Sequence, residues 1–257
     1  MAYLHDLLEF RRPLAINLAN PTKGSHCDEC GARHHGLCDA LSDDEVAFLA
    51  RVGQRVVIQP GALLMEEGEQ ASYFYNINQG MARLFKALPD GRRQITGFAG
   101  PGYFLGLAAA DKNVVSAEAM ESLHVCRFNR ASLMAVSAEF PAVERKLLEI
   151  AMHELVITQQ QMLLLGRKTA VERVASFLLS WAERLEICPA GQLPKPNALM
   201  RLPISRTDLA DYLGVTIETV SRSLSQLKRD GLIGIPNIHE IILLKPQALS
   251  SIAEAAI

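Results

Sequence analysis

The chain contains no run of about 18 uncharged apolar residues, so no membrane-spanning helix is expected; its greasiest pieces, Tyr103 to Ala110 and Met162 to Leu165, are short. It is also poor in aromatics, at 6%, with a single tryptophan, and nearly neutral, with a formal charge of −2. Bulk charge therefore does not point to nucleic acid, and any such role must rest on a local arrangement of side chains. His5, Asp6, Glu9, Arg11 and Arg12 interrupt the first residues, so the hydrophobic region of a signal peptide is missing and the expectation is a cytoplasmic protein without membrane partners. With 257 residues, 49% hydrophobic and 21% charged, the composition is that of a folded globular chain. Five cysteines, an odd number with three between Cys27 and Cys38, fit metal or redox chemistry better than a secreted disulfide framework. No Ser/His/Asp set, phosphate loop or carboxylate pair stands out, so no enzymatic activity is expected.

From Gly53 to about Arg130, short β-type runs alternate with turn residues: Arg55 to Gln59, Leu63 to Met65, Tyr73 to Asn78, Ala82 to Ala87, Gln94 to Phe98 and His124 to Phe128. Regularly spaced glycines and the Pro89-Asp90-Gly91 turn predict a jelly-roll or barrel. Pro141 then opens a stretch without proline or glycine up to Gly166, a helix of roughly 37 Å. Leu148, Ala151, Leu155, Thr158, Met162 and Leu165 follow one face of it, while Leu147, Ile150 and Ile157 lie beside them. Two apolar stripes need two covers. Either the helix is wholly internal, or one stripe packs on the β domain and the other on a second copy. Thr169 to Leu185 reads as another amphipathic helix, and the proline-containing 188–203 stretch as a surface loop.

Residues 205 to 231, SRTDLADYLGVTIETVSRSLSQLKRDG, carry two helices and a tight turn. Leu209 and Leu213 are apolar at i, i+4; Gly214 ends the first helix; Thr216 is a fitting N-cap for the second, with Glu218 in its first turn; Val220, Leu224 and Leu227 form its buried stripe. This is a helix-turn-helix pattern. Glu218, Ser221, Arg222 and Ser225 align on the other side of the second helix, in the half that enters the major groove in such motifs. Arg222 suits guanine and Glu218 a cytosine amino group; Thr216 and Lys228, flanking them, complete the candidate DNA-contacting set, Lys228 toward phosphate or solvent. Leu232 to Leu244 reads as a hairpin with Pro236 and Asn237 at its tip, making the module a winged helix. The fold class is thus α+β, in four parts: a cysteine-rich segment 1–50, a β-roll 51–136, a long helix 137–166 and a winged helix-turn-helix domain 167–257.

Cys27 and Cys30 form C-x2-C, and Cys38 follows after seven residues in a loop rich in His and Gly. Three soft ligands in one loop suit zinc or an iron-sulfur cluster, and a fourth is normally required. Cys126, Cys188, His26, His34 and His35 are the candidates, and spacing alone leaves the choice open.

In its order of cysteine-rich segment, β-roll, long helix and winged helix, the chain resembles the cyclic-AMP-receptor and FNR superfamily of bacterial transcription regulators, specifically the FNR-type oxygen sensors. The resemblance rests on ETVSR at Glu218 to Arg222, MLLLGRKTAVERVASFL at Met162 to Leu178 and DGRRQITGF at Asp90 to Phe98. It implies a [4Fe-4S] cluster on Cys27, Cys30, Cys38 and Cys126. It further implies a homodimer paired through the long helix along Leu148 to Leu165, a palindromic promoter site of the TTGAT-N4-ATCAA kind, and contact with RNA polymerase. A structural zinc, or thiol-based redox sensing through a residue such as Cys188, is the alternative to the cluster. The seven residues between Cys30 and Cys38 exceed the gap of some FNR-type members. The stretch from Gly102 to Ala117, where the cyclic-nucleotide branch keeps a phosphate-gripping arginine, contains none, so no cyclic nucleotide is expected as effector.

Overall fold

The computed structural model describes residues 27, 30, 32–33, 36–107, 111–189 and 191–254. It divides into two compact units, Met1–Leu155 and Val156–Ile257. In the first, two four-stranded antiparallel sheets make a β-roll. One has the order β1 (Gly53–Ile58), β8 (Leu123–Asn129), β3 (Tyr73–Gln79), β6 (Phe104–Leu105); the other β2 (Leu63–Met65), β7 (Ser116–Ala119), β4 (Ala82–Ala87), β5 (Arg93–Ala99). The six expected runs are all strands. Two more had no periodicity to announce them: β6 is two residues long, and the sequence Ser-Ala-Glu-Ala of β7 has neither a β-branched nor an aromatic residue.

Alternation along β3 shows how the sheets are filled. Tyr75 and Ile77 join Val56, Leu84, Leu105 and Val125 in the core shared with the second sheet. Phe74 belongs instead to a separate core with Phe104 and Phe128, closed by the helices α1 (Asp43–Val52), α2 (Arg130–Glu139) and α3 (Pro141–Arg167) and by the 3-10 turn Gly36–Cys38. α1 begins in a capping box: Ser42 Oγ accepts from the Glu45 N–H and Glu45 Oε2 from the Ser42 N–H. Asn129 caps α2 through the N–H groups of Ala131 and Ser132.

In the second unit α4 (Ala170–Arg184) lies against α6 (Ile217–Arg229) and α7 (Pro246–Glu254), and α5 (Arg206–Leu213) packs on α6. The expected hairpin exists as β10 (Ile233–Asn237) and β11 (Glu240–Leu243), but Pro236 and Asn237 belong to the end of β10 and the turn falls at Ile238 and His239. The 188–203 stretch is more than a loop. Its Ala198–Arg201 is a strand, β9, which pairs with β11 and makes a three-stranded sheet. Trp181 Nε1 donates to the Arg201 carbonyl at 3.0 Å, fixing that strand to α4. Among the described residues no helix is long and apolar enough to cross a membrane.

Candidate functional site

The turn between α5 and α6 is built locally. Ser205 Oγ accepts from the Asp208 N–H at 3.0 Å; Gly214, at φ +63°, ends α5 in the left-handed conformation that glycine adopts without strain; Thr216 Oγ1 accepts from the Thr219 N–H at 3.2 Å. Leu209, Leu213, Val220, Leu224 and Leu227 are all buried, as their spacing predicts. The opposite side of α6 is open: Glu218, Ser221, Arg222, Ser225 and Lys228 are exposed, with the cap Thr216 beside them. Ser221, Arg222, Ser225, Gln226 and Arg229 line one shallow concavity of about 440 Å³. Arg222 donates to Thr219 Oγ1 at 3.3 Å, which steadies the guanidinium over its own helix. Glu218 is held below the usual carboxylate range, first by its own backbone N–H, then by Thr216 and Arg222. It is ready to accept a hydrogen bond, as Arg222 is to donate two.

In the first unit Cys27, Cys30, Cys38 and Cys126 meet at the outer face of the first sheet. Cys38 and Cys126 each lie within electrostatic range of Cys27 and Cys30, and Cys27, Cys38 and Cys126 all pack on the core built around Phe74. No disulfide joins any of them. The loop is fastened from several sides. Arg33 donates to the Cys38 carbonyl, to the Leu41 carbonyl at 3.2 Å and to Asp43 at 2.8 Å. Gly36, at φ +67°, presses on the backbone of Gly102; a Cβ there would sit 1.9 Å from the Gly102 oxygen. Burial, followed by the charges of Cys126, Cys30 and Cys27, pushes the Cys38 thiol up to about 12. Burial also raises Cys126, against a lowering hydrogen bond from Asn78. The Cys38 and Cys126 thiols thus give up their protons most readily to a strongly cationic partner.

Among the described residues no three His, Cys, Asp or Glu side chains are arranged to hold a single metal ion. His26, His34 and His35 lie outside the described residues. Cys188 is buried in the second unit and takes no part in the group.

Along α3 the two stripes part company. Val143, Leu147 and Ile150 belong to the core around Phe74. Leu148, Ala151, Leu155, Thr158 and Met162 are exposed, Met162 by 70%, whereas Leu165 is half-buried. Met152 and Val156, beyond the expected residues, widen the exposed stripe.

These features have counterparts in known proteins. The Crp-like helix-turn-helix domain family matches residues 172–252 and the cyclic nucleotide-binding domain family residues 55–140. The nitrogen fixation regulation protein FixK of Bradyrhizobium diazoefficiens is 41% identical, over 90% of this chain and 95% of its own. This chain belongs to the Crp/FNR family of transcription regulators. The transcriptional activator protein FnrL of Cereibacter sphaeroides is 35% identical over 87% of this chain and 90% of its own. The structure of FixK2 from Bradyrhizobium japonicum, 39% identical, superposes with a TM-score of 0.72 over 80% of this chain and all of that one. As a Crp/FNR-family regulator the chain binds DNA through the helix-turn-helix, and its relatives are regulators rather than enzymes.

Three groups on this regulator escaped the sequence reading. Gln226 extends the reading face beside Arg229, which like Lys228 is expected to meet phosphate or solvent, and Ile217 stands 42% exposed at the first position of α6. Asn76 and Asn78 point amide nitrogens at cysteine sulfurs. Two asparagines at alternate positions of the strand YFYNINQ were the available signal, since asparagine is depleted in strands.

Proposed function

We propose that this chain is an oxygen-responsive transcription regulator in which Cys27, Cys30, Cys38 and Cys126 hold a [4Fe-4S] cluster. The observation that carries the reading is the convergence of three loop cysteines with Cys126, which comes from a strand far along the chain, into one all-thiol group. Soft sulfur donors suit iron-sulfur chemistry. When bound, such a cluster supplies an oxygen-labile link among the four residues. The protein does the rest. The cysteine loop and the first half of α3 share one core through Leu37, Val143 and Leu147, so ordering the loop supports the helix that presents Leu148, Leu155 and Met162 to a second copy. In the dimer two copies of α6 read adjacent half-sites of a palindrome, Arg222 on guanine and Glu218 on cytosine. RNA polymerase is the further partner.

The same reading excludes a cyclic nucleotide. Ser116 Oγ already accepts the Glu67 N–H at 3.0 Å, Val115 and Ala117 pack into the inter-sheet core, and the segment offers no arginine to a phosphate. Residues 108–110 of that segment lie outside the described ones.

The deciding measurement is the visible spectrum and metal content of protein purified without air. A brown protein with iron and sulfide supports the cluster. A colourless protein with stoichiometric zinc, or with no metal and a redox-active thiol, rejects it.

A further inference from the structure

We infer that Asn76 and Asn78 are positioning residues that donate amide hydrogen bonds to metal-bound thiolates, Asn78 to Cys126 and Asn76 to Cys38, and so set how firmly the centre is held. The inference rests on the cluster reading above and adds residues to it. Asn76 stands directly opposite Cys126 in the β3–β8 register, so the two side chains leave the same face of the sheet. Asn78 lies where that register shifts, at a bulge between Ile77 and Gln79. A bulge re-aims a side chain, and Asn78 Nδ2 reaches Cys126 Sγ at 3.2 Å. Asn76 Nδ2 reaches Cys38 Sγ at 3.9 Å, the longer and weaker of the two contacts.

Both amides lie in a place where polarity is costly. Asn76 is 2% exposed, and the Oδ1 atoms of both residues are buried without a hydrogen-bond partner. An orphaned carbonyl of this kind costs stability, and the cost is offset only if the other end of the amide makes a strong bond. A protonated thiol is a weak acceptor and repays little of that cost. A metal-bound thiolate carries charge, and N–H donors to it are shorter and stronger bonds. The residues around an iron-sulfur centre tune it largely through such hydrogen bonds to sulfur. Arg55, paired with Cys126 across β1, adds positive charge on the other side of the same sulfur.

The test uses the full chain reconstituted with iron and sulfide under nitrogen, comparing wild type with Asn78→Leu, Asn78→Ser and Asn76→Leu. Leucine matches asparagine in shape but cannot donate, whereas serine restores a donor. Expected are full iron and sulfide loading in all four and iron-thiolate vibrational bands that shift in heavy water for wild type but less for Asn78→Leu. Loss of visible absorbance in air should be about tenfold faster for Asn78→Leu, less so for Asn76→Leu, and intermediate for Asn78→Ser, whose shorter donor reaches the sulfur less closely. If Asn78→Leu does not fold by circular dichroism, the Asn76→Leu and Asn78→Ser proteins carry the comparison. Loaded variants whose bands and decay rates all equal wild type overturn the assignment and leave the cluster standing. A wild type that takes up no iron or sulfide overturns the cluster reading, and the role of the two amides with it.

Discussion

Between Ser205 and Arg229 each cap and the turn glycine act on a partner a few residues away, whereas the groups around Cys38 come from a loop, a 3-10 turn, β3 and β8, spread across most of the first unit. The reading helix is therefore specified by short-range contacts, whose closure costs little chain entropy. The cysteine group exists only once the β-roll has brought distant strands together. Damage to one should leave the other largely intact, and the single tryptophan makes that separable: Trp181 is buried in the second unit and reports on it alone.

The largest effect is expected from Cys126→Ala. It should abolish iron and sulfide loading and leave the denaturant midpoint followed by Trp181 fluorescence unchanged, while Cys188→Ala loads fully. Full loading of the Cys126→Ala protein, or loss in Cys188→Ala, contradicts the ligand set. Next, Leu155→Asp puts a carboxylate in the exposed stripe of α3, where in a dimer it would be buried against its own copy. Dissociation into monomers under nitrogen is expected, with the dimer constant weakened by about 100-fold or more; a sedimentation profile still dimeric would remove this seam.

Smaller effects concern the reading face. Arg222→Ala should cost about 1–3 kcal/mol per half-site and relax selectivity at the guanine, measured against TTGAT-N4-ATCAA and a site with that guanine replaced. An unchanged preference would mean the face is misassigned. Glu218, ionised above its lowered pKa, should keep its discrimination throughout the neutral and mildly acidic range and lose it only as pH falls through that value. Specificity titrations at descending pH check this, and loss of discrimination near neutral pH would refute it. Last, Arg229→Ala or Lys228→Ala should weaken binding to all sequences alike and reduce the salt slope by roughly one unit for whichever side chain meets a phosphate. Filter binding at several salt concentrations distinguishes the two, and a sequence-dependent loss would place that side chain on a base instead.

How much of this was legible follows from the same contrast. The caps Ser205 and Thr216, the left-handed Gly214 and the stripe Val220, Leu224, Leu227 could be read because each residue type states its local role. The strands of the roll were legible wherever they alternated, and β6, β7 and β9 were not, being too short or set among prolines. Spacing alone could not select Cys126 over Cys188, because the choice depends on which strand lies beside the loop. Asn76 and Asn78 stayed hidden for a similar reason: their meaning depends on the register of β3 with β8 and on one bulge.

One guanidinium has a consequence for how this protein can change over generations. Arg173 donates to the carbonyls of Leu165, Lys168 and Leu213, the first in the last turn of α3 and the third at the end of α5. Two helix termini that share no sequence are thus measured against the same fork. Adding or deleting a residue in the last turn of either helix would rotate its final carbonyl by about 100° and leave a donor unmatched. Length variation among descendants of this chain should accordingly be excluded from both helix ends.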